Sequence, residues 1–235
     1  MTSLTLKDKQ VLSGDICLFT FHKPHGFQWI AGQHVVVFLD HPNPDDKGIT
    51  RALSMVTASQ EKDIQFITHA SEVGSTFKRA LRSLPVGGTV QVTPAQGHFT
   101  YHDSPNPALF VAGGVGIGAI RSLLADLDLS GKPIKGRLQY YVTDGPIPFK
   151  EYLEELGQRH AGLSVQYVEM QSLHEQGGIK EVESQHDVEI YFSAVYSQEL
   201  ISSAGISREI ERLRDLAGPV RNEAELLLHA SQLLK

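Results

Sequence analysis

Apolar and polar positions change their rhythm partway along the chain. In the first hundred residues the signal is short alternation. Ile64, Phe66 and Thr68 alternate with Gln65 and Ile67, Val90 and Val92 alternate with Thr89 and Gln91, and Val35 to Leu39 is a short apolar run. Gly and Pro clusters separate these pieces, which is the pattern of a sandwich or barrel of short strands. One segment differs: Phe77, Ala80, Leu81 and Leu84 fall on one helical face, with Gly74-Ser75-Thr76 placed to cap its N-terminus. The stretch Thr50 to Ala58 reads as a further strand-like run, and Met1 to Gln10 as a polar N-terminus.

After Asp103-Ser104-Pro105-Asn106-Pro107, a stretch that suits neither helix nor strand interior, the period changes. Ala108 to Ala112 is continuously apolar, as expected of a parallel strand covered on both faces. Ile120, Leu123, Leu124 and Leu127 follow helical spacing, as do Phe149, Tyr152, Leu153 and Leu156, and later Ile206, Ile210 and Leu213. Between them lie strand-like runs at Leu138–Val142, at Leu163, Val165 and Tyr167, and at Val188, Ile190 and Phe192. Alternating strands and helices predict βαβ units on a parallel sheet. The expected architecture is therefore an antiparallel β-barrel over residues 1–104, followed by an α/β doubly wound parallel sheet over 105–235. The tail, Asn222 to Lys235, reads as a leucine-rich helix whose Leu226-Leu227-Leu228, Leu233 and Leu234 suit packing onto its own domain or, as the alternative, a docking or dimer contact.

Composition narrows the function classes. The 235 residues carry 41% hydrophobic and 20% charged residues and a formal net charge of -6. With no basic run, nucleic acid is not an expected partner. The one cysteine, Cys17, excludes an intramolecular disulfide and an iron–sulfur cluster ligated by this chain alone. No apolar run approaches the ~20 residues of a membrane helix, and the N-terminus lacks a signal-peptide core. The expectation is a cytoplasmic protein without membrane insertion. The 11 histidines show no metal-ligand spacing; His22 and His25 are three apart, but Pro24 lies between them. No metal is expected.

Three local signals carry chemistry. Ala112-Gly113-Gly114-Val115-Gly116-Ile117-Gly118 follows an apolar strand and opens an amphipathic helix. Glycines there allow close approach to a phosphate at a helix N-terminus, although the same turn serves a tight strand-to-helix connection. Arg51-Ala52-Leu53-Ser54 places a guanidinium in a strand, where a phosphate or solvent would satisfy it. Gly74-Ser75-Thr76 offers hydroxyls and amides for a second anion or for plain N-capping.

Taken in order, these segments resemble the ferredoxin–NADP reductase-like flavoproteins. That family carries an Arg-x-Tyr/Phe-Ser strand, a Gly-Ser helix start, a Gly-Pro-x-Gly-x-Phe strand end and a Gly-Gly-x-Gly-Ile turn. Here the matching residues are Arg51-Ala52-Leu53-Ser54, Gly74-Ser75-Thr76-Phe77, Pro94-Ala95-Gln96-Gly97-His98-Phe99 and Ala112 to Ile117, with Ala31-Gly32-Gln33-His34-Val35 at the family's strand entrance. The resemblance spans about residues 15–160. It implies FAD in the barrel domain and a nicotinamide dinucleotide in the second. Arg51, with Ala52 beside it, would contact the flavin phosphate, Leu53 would lie against the isoalloxazine, and Ser54 would hydrogen-bond near flavin N5. His69 would stand near the phosphates. Gly74, Ser75 and Thr76 would bind the pyrophosphate, which favours FAD over FMN. Gly113, Gly114, Gly116 and Ile117 would cradle the nicotinamide cofactor's pyrophosphate.

The resemblance implies an enzyme, an NAD(P)H-dependent flavoprotein reductase that passes electrons through FAD to an unidentified acceptor, protein or small oxidant. The alternative is a non-catalytic nucleotide-binding regulatory or electron-transfer subunit. Three departures bear on the choice. Leu53 replaces the family's aromatic. Ser193-Ala194-Val195 stands where the family has Cys-Gly-Pro, which makes Ser193 the candidate catalytic partner of Ser54 and predicts slow hydride transfer. After Tyr196 there is no Phe, Tyr or Trp to close the flavin face. Asp144, after the second strand of the α/β domain, favours NADH, because a carboxylate accepts from a ribose hydroxyl and repels a 2′-phosphate.

Overall fold

A computed structural model describes residues 1–142, 145–169 and 189–195. The first element is longer than the polar N-terminus suggests: β1 runs Thr2–Ser13, with Leu4 and Leu6 buried and the polar positions turned outward. A tight turn at Gly14-Asp15 returns the chain into β2 (Ile16–His22). β3 (His34–Phe38), β4 (Thr50–Ser54), β5 (Asp63–His69) and β6 (Thr89–Val92) complete an antiparallel six-stranded sheet in the order β4-β3-β6-β1-β2-β5.

The run from Thr50 to Ala58 is a regular strand only as far as Ser54. Beyond it the Met55 amide bonds Gln33 O at 2.9 Å and the Val56 amide bonds Gln65 O at 3.0 Å. The chain thereby passes from one end of the sheet order to the other and closes the sheet into a barrel. Alternation fills the interior: Val35 and Val37 of β3, Val90 and Val92 of β6, and Phe19, Phe21 and Phe66 of β2 and β5 are buried. Phe21 and Phe66 meet at 5.6 Å between ring centroids. Trp29 joins the core with its indole N–H on Thr57 O at 2.8 Å.

Helix α1 (Thr76–Ser83) links β5 to β6 and buries Phe77 and Leu81 against the barrel. Ser75 is its N-cap, accepting from the Lys78 amide at 3.4 Å. At the other end Lys9 Nζ donates to Arg82 O and Leu84 O at 2.5 and 2.9 Å, so a cation meets the negative end of the helix dipole.

The second sheet is parallel. β7 (Ala108–Gly114), β8 (Gly136–Val142), β9 (Leu163–Glu169) and β10 (Glu189–Val195) lie in the order β10-β7-β8-β9. α2 (Ile117–Leu129) connects β7 to β8, and α3 (Lys150–Arg159) connects β8 to β9. Phe110 of β7 and Tyr191 of β10 are both buried, with rings stacked at 5.3 Å. The successive strands β7, β8 and β9 run one way from β7, whereas β10 returns to its other side. The strand order therefore reverses between β7 and β10, which is the doubly wound arrangement.

The chain divides into two compact units. The first comprises Met1–Tyr101 with Arg121–Lys132 and Gly145–Pro148, so most of α2 belongs with the barrel. The second comprises His102–Ile120 and the described residues of 133–144 and from Phe149 onward. Among the described residues no helix is long and apolar enough to cross a membrane. The expected helices at Ile206–Leu213 and Asn222–Lys235 lie outside the described residues, as does Val188.

Candidate flavin and nucleotide sites

In the first unit, chemistry gathers around the first turn of α1. Arg51 leaves β4 and lays its guanidinium over the Phe77 ring, 5.2 Å from the centroid. Its Nη1 donates to Lys47 O, Gly48 O and Thr50 O at 2.8, 3.3 and 2.6 Å. Its Nη2 is buried without a hydrogen bond, and the Asp45 carboxylate stands 3.5 Å away, in ion-pair range. Burial pushes the Arg51 pKa down and Asp45 opposes that shift.

Asp45 itself reaches 31 residues along the chain to the helix. Its Oδ2 accepts from the Thr76 amide at 2.8 Å, and its own amide donates to Thr76 Oγ1 at 3.0 Å. The Thr76 amide is the main reason that its carboxyl is held below the usual carboxylate range.

Lys78 is next. No hydrogen bond holds its ammonium among the described residues; burial lowers its pKa first and the nearby Arg51 charge second, while Asp15 favours the charged form. Asp15 holds His69 Nδ1 at 2.7 Å and leaves His69 Nε2 buried with no partner. His41 shows the same feature. Its Nδ1 lies 2.8 Å from Leu39 O, its ring stands edge-on to Phe77 at 6.4 Å, and its Nε2 is buried and unpaired.

Buried polar atoms without partners are costly and uncommon. Here His41, Arg51 and His69 each keep one; His41 and Arg51 lie against Phe77 in the first turn of α1, and His69 is bonded to Asp15, whose charge acts on Lys78. A helix N-terminus with a buried guanidinium and an ammonium nearby suits an anion, and here the Asp45 carboxylate is one.

The expected site residues are distributed as follows. Arg51 and Thr76 come to this place, each bonded to or facing Asp45, while His69 is bonded to Asp15. Ser75 caps the helix with its hydroxyl, and the Gly74 amide turns back to Ser71 O at 3.3 Å. Ala52 is half-buried and Ser54 is exposed at the end of β4, opposite His34. Leu53 pairs with Val35 and points into the barrel core at 8% exposure, because strand alternation sends it inward between Ala52 and Ser54. Asp45, Lys78 and Asp15 are additions that the motifs do not predict. The signal available in the sequence is the turn Asn43-Pro44-Asp45-Asp46-Lys47-Gly48 directly before the Arg51 strand.

In the second unit the glycine turn lies at the carboxyl end of β7. Gly114 has φ +52, a left-handed conformation that favours glycine, and its carbonyl accepts from Tyr140 OH at 3.3 Å. Gly116 N–H bonds Gly113 O at 3.0 Å, closing the turn that starts α2. The Ile117 side chain is fully buried, so only its backbone faces the turn. Ser193, Ala194 and Val195 of β10 pair in register with Ala112, Gly113 and Gly114. The turn and the altered strand end therefore sit together where the strand order reverses, the place at which open α/β sheets take ligands. Asp144 lies outside the described residues.

Residues 3–101 match the family described as the oxidoreductase FAD-binding domain. The match spans the six-stranded barrel of the first unit. No curated protein matches the chain. Among solved structures, ferredoxin–NADP+ reductase from Neisseria gonorrhoeae with bound FAD and NADP is similar at TM-score 0.69 and 15% identity, covering 94% of each chain. Ferredoxin–NADP+ reductase from Plasmodium falciparum with 2'P-AMP is similar at TM-score 0.65 and 14% identity, over 80% of this chain and 84% of that one. The flavohem-like FAD/NAD-binding domain of nitric oxide dioxygenase from Vibrio cholerae O1 biovar El Tor is similar at TM-score 0.64 and 17% identity, over 81% and 85%. The chain thus has the ferredoxin–NADP reductase-like fold, a flavin-type barrel followed by a parallel α/β sheet, as its motifs predict.

Proposed function

We propose that this protein is a flavin-dependent oxidoreductase that takes electrons from NAD(P)H and passes them through FAD to an acceptor, with residues 1–104 as the flavin domain and 105–235 as the nicotinamide domain. The observation that carries the reading is the Arg51 Nη2, buried without a hydrogen bond beside the amide end of α1, in a barrel that matches the FAD-binding family. Arg51 and the Thr76 amide would hold the FAD phosphates, with Gly74 and Ser75 shaping the helix start. Lys78 adds a second cation, and two cations beside the helix amide suit a pyrophosphate better than a single phosphate. Bound FAD supplies hydride acceptance and one-electron transfer. Ala52 and Ser54 present the open side of β4, and the Ser54 hydroxyl is the group available to hydrogen-bond the ring near N5. Leu53 supports this strand from inside the barrel.

In the second domain, the amides of the Gly113–Ile117 turn would take the phosphates of the nicotinamide nucleotide. Asp144 would favour NADH over NADPH. The Ser193 hydroxyl would serve at the nicotinamide. The protein would act in the cytoplasm with a protein or small-oxidant acceptor.

A second reading, a non-catalytic nucleotide-binding subunit, is favoured by one observation. Ala194 pairs with Gly113 at the end of β10, where the ferredoxin reductase family has glycine. Anaerobic titration of the FAD-loaded protein decides between them. Bleaching of the flavin by NADH, slower with NADPH and faster in Ala194→Gly, supports the enzyme. Firmly bound FAD that neither nucleotide reduces supports the subunit.

A further inference from the structure

We infer that Asp45 is a built-in stand-in for a cofactor phosphate, so FAD must displace it and Asp45 sets how tightly the flavin is held. This rests on the flavin reading above.

The geometry puts a carboxylate on the donors that reading assigns to FAD. Asp45 Oδ2 takes the Thr76 amide at 2.8 Å, and Oδ1 faces the buried Arg51 Nη2 at 3.5 Å. A carboxylate at a helix N-terminus satisfies the same donors and dipole as a phosphate oxygen does. It fills the place incompletely: Arg51 Nη2 has no hydrogen bond, and Lys78 has no acceptor among the described residues.

Asp45 is not held by the helix alone. Lys47 N–H donates to Oδ1 at 3.1 Å and Gly48 N–H donates to Asp45 O at 2.9 Å, so the carboxylate belongs to a self-contained turn. The turn also lends Arg51 its carbonyls at Lys47 and Gly48. It sits on an exposed stretch, with Pro42, Asn43, Pro44, Asp46 and Lys47 all exposed, and so has room to swing away as a unit. When it does, the Thr76 amide and Arg51 Nη2 are released for phosphate oxygens, while Arg51 keeps its bond to Thr50 O within its own strand. Two anions cannot share the amide, so each molecule of FAD bound carries the cost of removing Asp45.

The test compares full-length wild type with Asp45→Asn for binding of FAD, ADP and riboflavin, by calorimetry and flavin fluorescence. Asparagine keeps an acceptor for the Thr76 amide but removes the charge opposite Arg51. A charge-assisted hydrogen bond corresponds to roughly tenfold or more in an equilibrium constant. Asp45→Asn is expected to bind FAD and ADP about tenfold more tightly and riboflavin, which has no phosphate, with unchanged affinity. The unliganded variant is expected to melt at a lower temperature, since it loses a helix-end anion. Asp45→Ser, with a short neutral acceptor, should behave alike and stands in if Asp45→Asn folds poorly. FAD binding by wild type with equal or weaker binding by both variants would overturn the inference and make Asp45 a support for the site. An equal gain for riboflavin would overturn it too. Failure of wild type and variants alike to bind FAD would remove the flavin reading itself.

Discussion

Replacement of Arg51 by alanine separates two roles of one side chain. In the unliganded protein the guanidinium bonds three carbonyls through Nη1, lies over Phe77 at 5.2 Å and is only 17% exposed. The three carbonyls share one nitrogen, so together they count as about one charged hydrogen bond, roughly 1.5–3 kcal/mol. The ring contact adds about 0.5–1 kcal/mol. Removing the side chain also leaves Asp45 without its cation, but Asp45 keeps the Thr76 amide. Arg51→Ala should therefore lower stability by about 2–4 kcal/mol, read from urea unfolding followed by circular dichroism. FAD affinity falls separately. Without one charge-assisted hydrogen bond to phosphate, Kd should rise about ten- to 150-fold. Riboflavin binding, measured alongside, should change little. Arg51→Lys should recover part of the FAD affinity, because it keeps the charge, and little of the stability, because an ammonium lacks the fork that reaches several acceptors at once. A folded Arg51→Ala protein with wild-type FAD affinity would refute the phosphate role. An equal drop for FAD and riboflavin would show that Arg51 acts only through the fold.

Three further outcomes follow from the same geometry. Gly32 has φ +86, and a Cβ there would collide with the Phe99 carbonyl oxygen, so Gly32→Ala should cost more than about 3 kcal/mol or prevent folding; wild-type thermal stability would contradict this. Glu61 receives both Arg121 nitrogens at 2.5 and 2.7 Å and the Ala58 amide at 2.6 Å, so Arg121→Ala should destabilise by about 2–4 kcal/mol, whereas the double change with Glu61→Gln should cost less than the sum. The Asp45 carboxyl is depressed below its ordinary value of 3.8, so its contribution to stability is present above that pH and is lost as pH falls through the lower folded value; the stability gap between wild type and Asp45→Asn should be full at neutral pH and vanish under strongly acid conditions, and a gap that persists there would contradict the assignment.

The elements that repeat a simple rhythm are legible in the chain itself. Val90 and Val92, Ile64 and Phe66, and the Phe77–Leu81 face occupy the core as their spacing predicts. The apolar run at Ala108 and the glycines after it form a strand and a helix start. Features that depend on distant pairing are not legible. Thr2–Ser13 reads as polar because only Leu4 and Leu6 face inward, and its strand identity comes from partners in β2 and β6. The parity of β4, fixed by pairing with β3, is what turns Leu53 into the core. Asp45 can be read as a turn residue, but its bond to Thr76 depends on folding β3, β4 and α1 into one barrel. The anion site is thus half visible in sequence, where motifs supply Arg51 and Thr76, and half tertiary, where Asp45 and Lys78 are added to them.

The barrel is expected to bind FAD, and the bound flavin to accept electrons from a nicotinamide nucleotide. The most direct test is the visible absorption spectrum of the purified full-length protein after reconstitution with FAD and removal of the excess, recorded before and after anaerobic addition of NADH. The predicted result is one FAD retained per chain and disappearance of the oxidised flavin bands on adding NADH, at a slow rate set by Ala194 and Val195. A colourless protein after reconstitution would contradict the flavin reading at its base.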